Sequence, residues 1–411
     1  MKNKSLTWFA STMALVFAIT LAILSNAASA RAGETVIYSF DKTKGSIPLS
    51  GLTSDAAGNL YGTTSGGGER NCGTVFELSN SGGKWTETVL YSFKGCYFVT
   101  QTPRGTMVFD GAGNLYGVQQ GYEDSGQIFE LSKGADGKWS FTGIHSFGRK
   151  EGSPNPDLTF DSAGNLYGTT ALDSTGFDGE AFELSPQPDG SWKETVLYSF
   201  PAPNGVGYPV GGPVFDAKGN IYGAAYYGAN GEFGAVYELS PQPKGPWTLT
   251  VVYNFTSATS GGPYSKLTFD KSGNLYGTAY QAGPLFLGEV FRLTPTSGGG
   301  QWTETTIHTF NSGSDGRYPQ GTLVFDASGN LYGTTLFGGL GCNQSLCGTA
   351  YKLTPQSGGT WKETILHQFE SAGDGSEPQA GLFLDSAGNL YGTTSVGGGR
   401  YGYGTVFEIT P

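Results

Sequence analysis

Residues 55–64 read DAAGNLYGTT, and nearly the same string returns at Asp110, Asp161, Asp216, Asp270, Asp326 and Asp385, making seven copies with Asp55. Six carry Gly-Asn-Leu-Tyr-Gly after the Asp and two spacer residues; the fourth has Ile221 in place of the leucine. The first glycine of each copy stands at 58, 113, 164, 219, 273, 329 and 388, at intervals of 51 to 59 residues. Residues that recur in every unit of such a repeat serve the unit's fold before anything else.

The units share a grammar. Ten residues before that glycine stands a proline: Pro48, Pro103, Pro154, Pro209, Pro263, Pro319 or Pro378. A short apolar strand such as Gly321–Phe325 leads to the Asp. The Asp, its spacers and Gly-Asn predict a tight hairpin turn, because Asp accepts backbone N–H bonds while Gly and Asn tolerate positive φ. Leu-Tyr-Gly-Thr-Thr reads as a second strand, and a segment such as Gly73–Leu78, after a variable loop, as a third. A Trp opens the fourth, in which Val89, Tyr91 and Phe93 alternate onto one face. Four antiparallel strands per roughly 55 residues make the blade of a β-propeller.

The two ends sharpen this reading. The last unit stops at Thr405–Pro411 after its third strand, and Glu34–Phe40 reads as a fourth strand lacking its Trp. The expected fold is an all-β seven-bladed β-propeller, four antiparallel strands per blade, closed by strand 34–40 completing the last blade. The blades are expected at about 47–94, 102–147, 153–200, 208–255, 262–310, 318–369 and 377–411 plus 34–40. A linear β-solenoid has no use for such a split unit.

Residues 1–30 read as a cleaved secretory signal: Lys2 and Lys4, an apolar run from Leu6 to Leu24, then Ala28-Ser29-Ala30. A single domain over residues 31–411 follows, with a secreted or periplasmic location expected and no membrane partner after cleavage. No cysteine precedes Cys72, so no lipoprotein attachment site is present. Without the two signal lysines, 21 basic residues face 34 acidic ones, a net charge of −13. A surface of that sign repels phosphate and excludes nucleic acid or an anionic membrane surface as partner. The 68 glycines and evenly spread aromatics suit short strands joined by tight turns.

Gly-Thr-Val-Phe-Glu-Leu (73–78) followed by Glu-Thr-Val-Leu-Tyr-Ser-Phe (87–93) resembles the tandem-repeat GloVer family of bacterial secreted proteins, also called choice-of-anchor proteins. The resemblance covers residues 34–411. It implies an exported repeat protein and brings no catalytic residue or cofactor to carry over. Members of that family bear C-terminal sorting tails, whereas this chain ends at Pro411 with no hydrophobic tail. The Pro, Asp and Gly-Asn spacing also resembles NHL-type propellers, which bears on topology alone.

Several residue types invite a chemical reading. His145, His308 and His367 hold the register position of Tyr38, Tyr91, Tyr198 and Tyr253, which marks packing positions on outer strands that cannot converge. Neither HExxH nor Gly-x-Ser-x-Gly occurs. Each repeated Asp offers a turn one carboxylate, against the about six to eight oxygens that Ca²⁺ takes, so no metal or cofactor is expected. Trp85, Trp139, Trp192, Trp247, Trp302 and Trp361 recur one per blade and read as inter-blade packing rather than sugar-stacking platforms. Cys342 and Cys347 share one loop. Cys72 and Cys96 can meet if each fourth strand leads to the inner strand of the next blade, so the four read as two disulfides.

Function is expected where the repeats differ, in the loops between second and third strands. These carry Tyr122, Glu123 and Asp124; Asp173, Phe177 and Asp178; Tyr226, Tyr227 and Phe233; Tyr280 and Phe286; Phe337; and Arg400, Tyr401 and Tyr403, with Arg104 and Arg317 near the prolines. Exposed aromatics beside carboxylates suit stacking on sugars or anchoring a protein partner. The leading reading is a non-catalytic exported binding module for a glycan or a protein. The alternative is a lactonase or lyase type of propeller enzyme, which requires converging carboxylates with His or a metal, the nominees being Glu123, Asp124, Asp178 and Arg400. A structural surface protein is the third reading.

Overall fold

The repeated turn builds itself from local bonds. Asp55 Oδ1 accepts the backbone N–H groups of Ala57 and Asn59, each at 2.9 Å, and its Oδ2 accepts the Asn59 side-chain amide at 2.8 Å. The bond from the Asn backbone recurs in the other six turns. Gly58 sits at φ 81°, where a side chain would be strained. Burial alone would raise the Asp55 carboxyl; the bonds from Asn59, Tyr61 and Ala57 outweigh it and hold the group below the usual carboxylate range. The second glycine has a different cause. A Cβ on Gly62 would stand 2.6 Å from Phe76 Cζ, because the ring of the third strand lies across the second-strand backbone.

These turns organise seven sheets in the computed structural model, which describes residues 33–96, 102–121, 126–148, 151–171, 179–200, 205–228, 233–256, 262–297, 300–340, 347–370, 373–400 and 402–411. Blade 1 runs outward from the channel as Thr53–Ser54, Leu60–Thr64, Thr74–Ser81 and Lys84–Ser92, all antiparallel. Blades 2 to 7 follow in chain order. In blade 7 the outermost strand is Gly33–Ser39, which pairs with Thr405–Thr410, Gly33 opposite Thr410 and Ser39 opposite Thr405. The ring is closed by the N-terminal strand as expected. Among the described residues there is no α-helix, only the 3-10 turn Gly313–Asp315.

Each wedge between successive blades is a small hydrophobic core. Tyr61, Val75 and Phe93 of blade 1 meet Leu115, Phe129 and Leu131 of blade 2, and the pattern repeats around the ring. The Phe at the end of every outer strand lies against the third-strand ring of the next blade, at centroid distances of 4.9 to 5.4 Å in all seven wedges. Burying each such ring contributes roughly 2 kcal/mol or more. The tryptophans take the inter-blade role: Trp139 packs on Tyr61, Trp192 on Tyr116 and Trp361 on Tyr276, each on the repeat tyrosine of the preceding blade. Cys72 and Cys96 form a disulfide, Cα atoms 5.5 Å apart, tying the blade 1 loop to the connector into blade 2. Cys347 is also disulfide-bonded, while Cys342 lies outside the described residues.

The inner strands are discontinuous. In blades 2 and 4 the register shifts between Arg104 and Val108 and between Val210 and Val214. In blade 6 the strand splits into Arg317–Pro319 and Val324–Phe325. Over those residues the backbone leaves the ladder, and residues 104–106, 210–211 and 320–322 line an axial cavity while Met107 and Leu323 stay in the wedge cores.

Candidate functional site

Two rings of side chains follow from that break. The residue after each repeated proline supplies Leu49, Arg104, Asn155, Val210, Tyr264, Gln320 and Gln379; two positions further on stand Gly51, Thr106, Asp157, Lys266, Thr322 and Gly381. Together with Tyr208, Tyr226 and Tyr227 they line a cavity of about 670 Å³ to which all seven blades contribute. Adjoining it, and sharing Asp157 and Lys266 with it, a second cavity of about 350 Å³ adds apolar side chains that include Val108, Val214 and Val324. The second cavity is thus the more apolar of the two.

The charges in the cavity are unequal in their ties. Lys266 of blade 5 reaches across to blade 3, where its Nζ donates to the Leu158 carbonyl at 3.3 Å and to Thr159 Oγ1 at 2.9 Å. Burial lowers its pKa, and Asp157 opposes that shift. Asp157 accepts the Thr106 N–H at 3.1 Å. Arg104, by contrast, opens to the cavity and makes no hydrogen bond or ion pair among the described residues. The protein around its guanidinium lowers its pKa by desolvation, with Tyr264 opposing.

Aromatic rings form an arc on blades 4 to 6. Tyr208, Tyr226 and Tyr227 contact one another at centroid distances of 5.1 to 6.2 Å. Tyr264 lies 5.3 Å from Tyr280, which stacks on Tyr318 at 4.8 Å, and Tyr318 meets Phe337 edge-on with Arg317 over both rings. Tyr226 is 50% exposed and Tyr264 44%. Two of these tyrosines are held against their backbone preference. Tyr208 and Tyr318 take φ of 55° and 61° just before a proline, where extended backbone is the norm. Such conformations cost about 1–3 kcal/mol and persist where surrounding contacts impose them; the Tyr318 N–H is held by the Leu287 carbonyl of the preceding blade at 2.7 Å.

Of the residues expected from sequence, Tyr226 and Tyr227 line the cavity and Tyr280 and Phe337 continue the arc. Phe233 and Phe286 are exposed away from the lining, Arg400 lies outside it, and Tyr403 packs against the blade 7 and blade 1 wedge. Tyr122, Glu123, Asp124, Asp173, Phe177, Asp178 and Tyr401 lie outside the described residues. Sequence reasoning passed over Asp157, Lys266, Tyr208 and Tyr264. A signal was present: three residues after the proline the repeat carries Gly or Thr, except where Asp157 and Lys266 stand.

The histidines occupy a second kind of site. Each ring packs edge-on against the Phe two residues later, as the tyrosines at the same position do, so the packing reading holds. It was incomplete, because each also meets two carboxylates from beyond its own strand: His145 with Glu151 and Glu194, His308 with Asp315 and Glu363, His367 with Asp374 and Glu34. Burial pushes Glu34 up to about 7, with Asp374 adding and His367 opposing. Burial, then Glu151 and Glu180, push Glu194 to about 7, and burial with Asp315 pushes Glu363 to about 9. Burial lowers His145, with Glu151 opposing.

Comparison with solved structures returns distant likenesses. A protein proposed to be an oxidoreductase (glucose dehydrogenase) from Thermus thermophilus is 17% identical, with 74% of this chain and 95% of that one covered and a TM-score of 0.44. A protein of unknown function from Dyadobacter fermentans is 13% identical, covering 92% and 98%, at 0.44. The GH43 endo-arabinanase of Bacillus licheniformis is 14% identical, covering 63% and 96%, at 0.36. Scores of this size carry no argument about what this chain does. No curated protein matches it. Sequence matches over residues 11–206 and 178–407 both fall on a single repeat type, in keeping with the seven recurring turns and wedges, and the chain belongs to the Gloeobacter/Verrucomicrobia repeat family.

Proposed function

We propose that this propeller is an exported, non-catalytic binding module that takes a saccharide bearing a carboxylate, such as a uronate unit, at the channel mouth. The observation that carries this reading is the arc of exposed tyrosines beside Arg104, a cation with no partner among the described residues, over a cavity of about 670 Å³. Tyrosine faces stack on the apolar faces of sugar rings, and a guanidinium takes a carboxylate in two parallel hydrogen bonds. The half-buried amides of Gln320 and Gln379 suit hydroxyls, whereas the Asn155 amide is buried and spent on Thr169 and the Pro209 carbonyl. An enzyme reading is less well supported, since Asp157 is the one carboxylate in the described lining and its Oδ1 is already engaged by Thr106. The disulfide fits an oxidising compartment, and no described helix is long and apolar enough to cross a membrane.

The test is a glycan array carrying neutral and uronate-containing oligosaccharides, probed with residues 31–411 and with two variants. Tyr226→Ala/Tyr227→Ala should weaken all binding roughly tenfold or more. Arg104→Ala should weaken uronate binding and leave neutral sugars unaffected. A folded protein that retains no glycan, or variants that bind as the parent does, would sink the reading.

A further inference from the structure

The ring repeats one inter-blade junction seven times, and three of the seven carry a different charge pattern. At the junction of blades 7 and 1, Tyr38 donates a hydrogen bond to Glu87, and Lys44, four residues before Pro48, sits with its Nζ 3.8 Å from Glu87 Oε2 and 3.3 Å from the Glu87 carbonyl. The carboxylate there has a cation built into the chain. At the junctions of blades 5 and 6 and of blades 6 and 7, the lysine's place holds Asp315 and Asp374, each four residues before its proline. The tyrosine's place holds His308 and His367, and the glutamate's place Glu363 and Glu34. The junction of blades 2 and 3 has His145, Glu194 and Glu151, the last one residue nearer its proline. The lysine is particular to that one junction; at these three a second acid stands at or beside its position and a histidine faces both acids.

In two of the trios the histidine is hydrogen-bonded to one of its acids, and in all three the second carboxylate stands close by. In each trio one imidazole nitrogen and two carboxylate oxygens lie within 4.8 Å of one another. His145 Nε2 is 3.6 Å from Glu194 Oε1, and His308 Nε2 is 3.5 Å from Glu363 Oε1 and 3.0 Å from Asp315 Oδ1. His367 Nε2 is 2.7 Å from Asp374 Oδ2. Two ligands about 2.1 Å from one metal and adjacent in its coordination shell stand about 3.0–3.4 Å apart. A second observation points the same way. Glu34 Oε1, Glu194 Oε1, Glu363 Oε1 and His145 Nε2 are shut off from solvent and have no hydrogen-bond partner, so every one of the three junctions holds an unsatisfied ligand atom turned into the cluster. Buried polar atoms are normally satisfied; at the Lys44 junction Glu87 Oε1 is likewise unsatisfied, but its Oε2 has both the Tyr38 hydroxyl and Lys44 beside it.

We propose that these three junctions are divalent transition-metal sites, each taking one Zn²⁺ through a histidine Nε2 and two carboxylates from successive blades, and so pinning those blades together. One imidazole with two carboxylates and an open position suits Zn²⁺, whereas Ca²⁺ prefers a shell of oxygens alone. The inference is independent of the saccharide reading, whose residues lie at the channel mouth.

Untagged protein over residues 31–411, stripped with chelator, is titrated with ZnCl₂ by calorimetry at pH 7.5, with melting followed by circular dichroism. Three equivalents are expected, each of Glu34→Gln, Glu194→Gln and Glu363→Gln removing one. Glutamine keeps the glutamate's shape, so these variants should melt cooperatively without zinc. Asp315→Lys, which copies the Lys44 junction, should also remove one equivalent while folding as the parent does. No zinc uptake by folded parent protein, or a stoichiometry the variants leave unchanged, overturns the proposal.

Discussion

The repeat spends two glycines on two different constraints, and substitution separates them. Gly62 has no room for a side chain, since an added Cβ would meet Phe76 Cζ at 2.6 Å and Leu52 at 3.0 Å, whereas Gly58 has open space and only its positive φ to satisfy. Gly62→Ala should therefore cost about 1–3 kcal/mol through overpacking and Gly58→Ala about 1 kcal/mol through backbone strain; equal urea midpoints for the two would contradict this. A titrating residue gives a second test. Glu289 is buried, and burial with Glu304 nearby pushes its pKa up to about 8 from an ordinary 4.5. The folded state therefore keeps a proton that the unfolded state releases, so this group's contribution is intact below about pH 4.5 and is lost as pH rises through 8. Glu289→Gln should match the parent at pH 4 and exceed it at pH 9 by on the order of 2–4 kcal/mol. Denaturation curves at the two pH values check the sign.

Within a blade, the strands are short and the connections carry much of the order. The Cys72–Cys96 disulfide spans a sequence separation of 24 and fastens a loop of blade 1 to the segment entering blade 2. Replacing both cysteines by serine should cost about 3 kcal/mol through the entropy returned to the unfolded chain, seen as a lowered Tm with the fold retained. The turn hairpins were legible from sequence because every bond in them joins residues at most six apart, as in the contacts of Asp55 with Ala57, Asn59 and Tyr61. The histidine junctions were not. His308 and Glu363 lie one repeat apart and meet only because the outer strands of neighbouring blades pack side by side. In hindsight the pairing was written as a His in one fourth strand and a Glu two residues after the next Trp.

Around the whole ring, stability depends on closure, since each wedge core needs two blades and the last wedges need Gly33–Ser39 in place. Phe40 is buried against Phe76 of blade 1, so the closing segment serves both sides of the junction. A chain starting at Asp41 should leave Thr405–Thr410 as an open edge, with broadened melting and concentration-dependent association measured by light scattering. A truncated chain that stays monomeric and melts as sharply as the parent would show that the closure carries little of the stability.

The seven-fold count, the turn chemistry, the Trp and Phe packing and the split last blade were all readable along the chain, because a repeat prints the same local and nearest-neighbour constraints seven times. The site was not readable in the same way. Arg104, Asp157, Tyr208, Tyr264 and Lys266 come from four different blades and share a cavity only after the ring has closed, with Lys266 reaching blade 3 from blade 5. Periodicity reports the contacts that every unit makes with its neighbours, whereas convergence on the axis is a property of the closed circle.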